Sequence, residues 1–196
     1  METMQAIKTR RTIRRFLQKP IPFEHMKECV NAGRLAPSGG NIQPWEFLVI
    51  DDITLLEPVF STLSWAVYLG PVGTPKEGEK PVAYIVVFVR EINQSTTVLT
   101  DIGAAIENIL IAAADKGIGS CWIGSIQKDK LASILNLPKN CLIQYVIALG
   151  YPAEQAVIEE GCEDEDVKYW RDEKGIHHVP KRKIENIVHH NIIKNT

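Results

Sequence analysis

The sequence predicts an α+β or mixed α/β domain, with helices packed around three or four strands. Three observations carry this reading. "VAYIVVFV", Val82 to Val89, is a continuous β-branched and aromatic run without a turn residue, as a strand buried on both faces requires. "LTDIGAAIENILIAAADKG", Leu99 to Gly117, is apolar nearly all round, at Ile102, Ala105, Ile106, Ile109, Leu110, Ala112 and Ala113. Such a helix lies at the centre of a domain or in a subunit interface. The 196 residues are 45% hydrophobic and 23% charged, the balance of one soluble globular domain with a sizeable core.

The elements follow in order. Met1 to Thr9 reads as a short amphipathic helix, with Met4, Ile7 and Ala6 on one face. Phe23 to Leu35 reads as a second helix, from Phe23, Met26, Val30 and Leu35. "WEFLVI" is a buried strand. Asp51 to Leu69 is helical in part, with Pro58 as an interruption. Gly70 to Pro81, rich in Gly and Pro, predicts a mobile surface loop. The Leu99 helix has Thr100 or Asp101 as its N-cap and Gly117 as its stop. "GSCWIGS" is a short extended stretch, Lys128 to Leu135 a helix, and "CLIQYVIALGYP" a third strand. After Ala153 the chain turns polar, with a block of acids and then of bases and about two short elements. It cannot bury a core alone, so residues 154–196 are expected to lie on their own domain or on a partner chain.

Composition excludes several classes. The net charge of −2 advertises neither nucleic acid nor an anionic membrane. No apolar run reaches the roughly 18 residues of a membrane helix. Met1 to Arg15 lacks the apolar stretch of a signal peptide. Cys29, Cys121, Cys141 and Cys162 are widely spaced, as in the free thiols of a cytoplasmic protein. His177-His178 and His189-His190 have no third ligand at useful spacing, and adjacent residues on an extended chain point opposite ways, so no metal site is expected. The acids from Glu159 to Asp166 are expected in solvent.

Four stretches could hold a ligand. "RRTIRRF" places Arg10, Arg11, Arg14 and Arg15 close together, and guanidiniums match phosphate with parallel hydrogen bonds. Thr12 adds a hydroxyl. In "APSGGNIQPW", Asn41 and Gln43 each offer a donor and an acceptor, and Gly39 and Gly40 permit close backbone approach to a flat ring. "GIGSCWIG" contains G-x-G but follows a helix, so it fails the context of a dinucleotide fingerprint. "PKRK", Pro180 to Lys183, sets three cations beside one rigid residue. Each alone is equally an ordinary turn or solvated face.

Together and in this order, "RRTIRRF", "APSGGNIQPWEF", "GIGSCWIGS", "ALGYP" and "PKRK" resemble the nitroreductase family of FMN-dependent oxidoreductases, from Ala6 to about Ile187. The resemblance implies a three-layer fold with a mostly antiparallel sheet flanked by helices, and a homodimer that swaps its C-terminal arms. It implies that Arg10 and Arg11 hold the FMN phosphate or ribityl chain, with Thr12 beside them. Arg14 would sit near the pyrimidine edge of the ring. Pro37, Ser38, Gly39, Asn41 and Gln43 would line the flavin from the neighbouring subunit. Trp122, Ile123, Gly124 and Ser125 would pass along the ring edge; Ser125 stands where the family has a second glycine. Lys181 and Arg182, with Lys183 as alternate, would complete the phosphate site. The implied reaction is ping-pong hydride transfer from NADH or NADPH through FMN to a quinone or nitroaromatic. Two alternatives stay open: reductive removal of halogens or another specialised chemistry under a lid, with Trp65 to Gly78 and Asp164 to Gly175 as candidate covers, and a flavin-binding sensor without turnover.

Overall fold

The computed structural model describes residues 1–90, 97–162 and 167–193. Its centre is an antiparallel sheet. Strand β3 (Ala83–Arg90) lies between β2 (Trp45–Ile50) and β5 (Cys141–Pro152). Phe47 faces Val87 across one ladder, and Ile85 faces Ile147 across the other. Strand β5 is long enough to pair twice on its far edge, first with β4 (Gly119–Ile123) and then with β1 (Phe16–Leu17).

Helices cover both faces. Because strand side chains alternate, Ala83, Ile85, Val87 and Val89 pack on α2 (Phe23–Arg34) and α4 (Val98–Asp115). Tyr84 and Val86 pack on the opposite side, with Val59 of α3 (Ile53–Phe60) and Leu131 of α5 (Lys128–Ile134). This explains a continuous apolar run in an antiparallel strand: no face of β3 meets water. Burial of each such large apolar side chain is worth roughly 1.5–3 kcal/mol.

Helix α4 is the buried spine that its composition predicts, with Ile102, Ala105, Ile106, Ile109, Leu110 and Ala113 in the core. It stops as expected. Gly117 adopts φ +71°, its N–H donates to Ala114, and the Ile118 N–H donates to Ala113, which satisfies the last carbonyls. The start differs from expectation: the helix begins at Val98, and Asp101 lies inside its first turn. Asp101 accepts from the Thr97 hydroxyl and from the Gly39 N–H, so it ties the 37–43 loop to the helix. Helix α2 crosses α4 closely at Gly33, where a Cβ would come 2.7 Å from Ile109.

Several expectations need correction. In α1 (Thr3–Thr9) only Ala6 is buried, while Met4 and Ile7 are exposed. In α2 the buried face is Met26, Cys29 and Gly33, and Phe23 and Leu35 face outward. Val67–Gly73 forms 3-10 turns that run from the segment expected to be partly helical into the first residues of the expected Gly70 to Pro81 loop. The polar C-terminal segment makes a second small sheet: β6 (Ala156–Cys162) and β8 (His177–Arg182) run parallel, with β7 (Trp170–Arg171) antiparallel on β8. Of its acids, Glu159 binds His178 rather than only water, at 2.8 Å; residues 163–166 lie outside the described residues. Up to Arg182 this sheet packs on its own domain. Beyond it, Ile184, Ile187, Val188, Ile192 and Ile193 stand exposed. Among the described residues no helix is long and apolar enough to cross a membrane.

Candidate functional site

The stretch from Arg10 to Phe16 runs beside β4. Thr12 bridges Ser120, and the Ile13 N–H donates to the Ser120 carbonyl at 2.9 Å. Two glycines permit this approach: a Cβ on Gly119 would lie 2.9 Å from Ile13, and one on Gly150 2.7 Å from Phe16. Thus the glycines of "GIG" and "ALGYP" make room for the arginine-bearing strand.

At one end of this stretch lies a cleft of about 590 Å3, lined by Lys8, Arg10, Arg11, Lys181, Arg182 and Lys183, together with Glu107, Glu160 and Glu185. Cations from the two ends of the chain therefore share one wall. Arg11 is held by donating from Nη2 to the carbonyls of Ile7 and Lys8, the exposed end of α1. Arg10 Nε lies 3.0 Å from Glu107 Oε1 on α4. The Nε atoms of both arginines are buried and make no hydrogen bond among the described residues. Burial, and then the charge of Arg10, hold the Arg11 pKa below its usual value, against the opposing pull of Glu107. A compact anion in this cleft would meet guanidiniums and relieve their like-charge repulsion.

Arg14 sits apart from the cleft. It is 8% exposed and points inward. Its Nη1 lies 3.2 Å from Nε2 of His177, and its guanidinium lies 4.8 Å over the Tyr169 ring. Its backbone N–H donates to Glu154 Oε1 at 2.5 Å, and Glu154 Oε2 accepts from Arg171 at 2.5 Å. Tyr169 packs edge-on against His177 and against Tyr68, at 5.3 and 5.1 Å. The two segments expected as covers thus meet each other above Arg14. Burial, and then the charge of Arg14, push the His177 pKa down to about 4. Burial pushes the Cys121 thiol up to about 11, so no thiolate nucleophile stands here at neutral pH.

The 37–43 loop is exposed over most of its length and does not line the cationic cleft. Ser38 Oγ accepts from the Gln43 N–H at 3.0 Å, and Gln43 Nε2 donates to the Asn41 carbonyl at 3.3 Å. Asn41 and Gln43 adopt φ of 56° and 50°, a conformation that L side chains rarely take. In the third stretch Ile123 is buried and Trp122 projects outward, edge-on to Tyr145 at 5.2 Å; Gly124 and Ser125 are exposed, and the Ser125 carbonyl accepts from the Ser64 N–H.

Sequence reasoning missed Lys8, Glu107, Glu154 and Arg171, and it reached Tyr68 and Tyr169 only as parts of the two expected covers. None belongs to a motif, and each reaches its place through tertiary packing. His177 carried a signal, the rule of alternation: its ring turns inward to Arg14, while that of His178 turns outward and stacks on Trp170 at 4.0 Å.

A family model, the nitroreductase family, matches the chain over residues 7–67 and 80–151. The chain belongs to the nitroreductase family. A protein of Archaeoglobus fulgidus, provisionally named NADH dehydrogenase/NAD(P)H nitroreductase, is 32% identical over 165 residues, covering 79% of this chain and 87% of the relative. An iodotyrosine deiodinase of Thermotoga neapolitana is 27% identical over 159 residues, covering 74% and 86%. Among solved structures, a provisionally named nitroreductase of Desulfovibrio desulfuricans, in complex with FMN, is 31% identical with a TM-score of 0.66, covering 79% of this chain and 88% of that one. The arginine-bearing stretch runs beside β4, on the edge of the central sheet where β4 and β1 pair with β5.

Proposed function

We propose that this protein binds FMN and works as an oxidoreductase, taking hydride from NADH or NADPH and delivering it to an electron-poor acceptor such as a quinone or nitroaromatic. One observation carries the reading most: Arg10 and Arg11 share a cleft with Lys181, Arg182 and Lys183, although about 170 residues separate the two groups. The residues fit the group. Arg11 Nε is buried without a hydrogen bond among the described residues, and a phosphate dianion beside Arg10 and Arg11 would balance their charge in competition with Glu107. FMN when bound supplies a ring that accepts a hydride and gives it up again.

The chain's own residues supply the rest. Arg10, Arg11, Lys181 and Arg182, with Lys183 as alternate, bind the phosphate. Thr12, fixed beside Ser120, offers its hydroxyl to the ribityl chain. Arg14 favours negative charge on the pyrimidine side of the ring, and its burial strengthens that effect. Trp122, Ile123, Gly124 and Ser125 pass along the ring edge. Pro37, Ser38, Gly39, Asn41 and Gln43 line the ring from the second copy of a homodimer, which their distance from the cleft in one chain supports. The exposed Ile184, Ile187, Val188, Ile192 and Ile193 suit an arm that covers the partner. Hydride donor and acceptor use one open face in turn, so turnover is ping-pong.

The test is spectroscopic. Purified or FMN-reconstituted protein should be yellow, bleach under argon with NADH or NADPH, and recover on addition of quinone or nitroaromatic. Protein that retains no flavin overturns the reading. A second reading, reductive removal of halogen from a phenol, is favoured by the contact of Tyr68 with Tyr169, which narrows the approach to Arg14, and by the similarity to iodotyrosine deiodinases. Turnover of a halogenated phenol with no quinone reduction would select it.

A further inference from the structure

The structure assigns His177 and Tyr169 as positioning residues that hold the Arg14 guanidinium in one orientation; this rests on the flavin reading above. A guanidinium has donors only. The 3.2 Å contact therefore makes His177 Nε2 the acceptor and puts the imidazole proton on Nδ1. His177 is 1% exposed and Tyr169 stacks its edge on it, so the acceptor cannot swing away. Tyr169 covers the guanidinium face at 4.8 Å, and Tyr68 backs Tyr169. Glu154 pins the backbone on which Arg14 stands, by accepting the N–H groups of Arg14 and Arg15.

The donors of Arg14 are thereby divided. Nη1 is used inward on His177. Nε is buried and makes no hydrogen bond among the described residues. An arginine loose in this place would reach the same ring but spread its charge over many rotamers. The His177 ring itself is no proton donor toward substrate, since its inward nitrogen carries none. The charged and titratable groups that face it are Arg14, Glu154, Arg171 and Tyr169.

Three variants test this. His177→Phe keeps the bulk and removes the acceptor; His177→Gln keeps an acceptor; Tyr169→Leu removes the ring over the guanidinium. The measured quantity is the affinity for reduced relative to oxidised FMN, from a redox titration of the bound flavin. Loss of one charge-assisted hydrogen bond predicts a fall of roughly tenfold in H177F. H177Q should recover most of it, Y169L should fall between, and Arg14→Met combined with H177F should fall no further than R14M alone. A ratio in H177F equal to wild type, or additive losses in the double variant, overturns the assignment. The flavin-free protein gives an independent readout: imidazole 15N signals should show Nδ1 protonated, and the Nε2 signal should move in R14M. Failure of the flavin reading is seen separately, because wild-type protein then takes up no FMN and the imidazole signals alone decide whether His177 holds Arg14.

Discussion

Arg10 and Arg14 come from one short stretch, and they end in opposite circumstances. Arg10 and its neighbour Arg11 line an open cleft with three cations from the far end of the chain. Arg14 is enclosed, with His177 and Tyr169 as internal partners. In the cleft the chain brings cations from its two ends together beside Glu107, Glu160 and Glu185. Around Arg14 it spends one donor on His177 and buries another. The same side chain is a binding group in one place and a fixed electrostatic element in the other, and the surroundings alone make the difference.

This contrast can be broken first at the cleft. Arg10→Ala with Arg11→Ala should leave the fold intact by circular dichroism and weaken FMN binding about 100-fold or more, as two charge-assisted bonds to phosphate predict. A double variant that stays fully yellow refutes the assignment of the phosphate to these residues. Lys181→Ala should cost less, roughly tenfold, since one point charge is removed from a wall that retains others.

Acid unfolding sharpens the enclosed side. In the folded protein His177 takes a proton only near pH 4, whereas the unfolded chain takes it near 6.5. Between those values the unfolded state binds more protons, so this contribution to stability is complete above about 6.5 and is lost as pH falls toward 4. The loss is on the order of 3 kcal/mol for this shift. Denaturant melts of wild type and H177F across that window should diverge, with the variant showing the flatter profile. Parallel profiles would mean that His177 titrates freely.

The smallest effect concerns Glu107, whose carboxylate lies 3.0 Å from Arg10 and competes with any incoming anion. Its side chain is 43% exposed, so screening keeps the competition weak. Glu107→Gln should tighten binding of FMN or inorganic phosphate about two- to threefold, read by flavin fluorescence or calorimetry. Weaker binding in E107Q would show that Glu107 orients Arg10 rather than competing for it.

Much of this was legible in the sequence, and the reasons are local. The apolar run Val82 to Val89, the apolar helix stopped by Gly117, and the strands at "WEFLVI" and "ALGYP" are each dictated by side chains a few residues apart, and each appears in the structure. The arginines of "RRTIRRF" and the cations of "PKRK" were also legible as phosphate-matching groups, because guanidinium and ammonium chemistry needs no fold to be recognised.

What only the tertiary structure decided is which groups meet. Period alone misassigned the buried face of α1 and α2, because the depth of burial depends on the neighbour and not on the helix. The small sheet of β6, β7 and β8 was unreadable as a unit, since two of its strands pair in parallel across an intervening stretch of polar residues. No spacing rule links Arg14 to His177, or Tyr68 to Tyr169; their contacts close loops of more than 100 residues in the case of Tyr68 and more than 160 in that of Arg14. Sequence specifies residue chemistry and local conformation, because those depend on near neighbours along the chain. It does not display the partner across the core, because that choice is made by packing the whole set of faces at once.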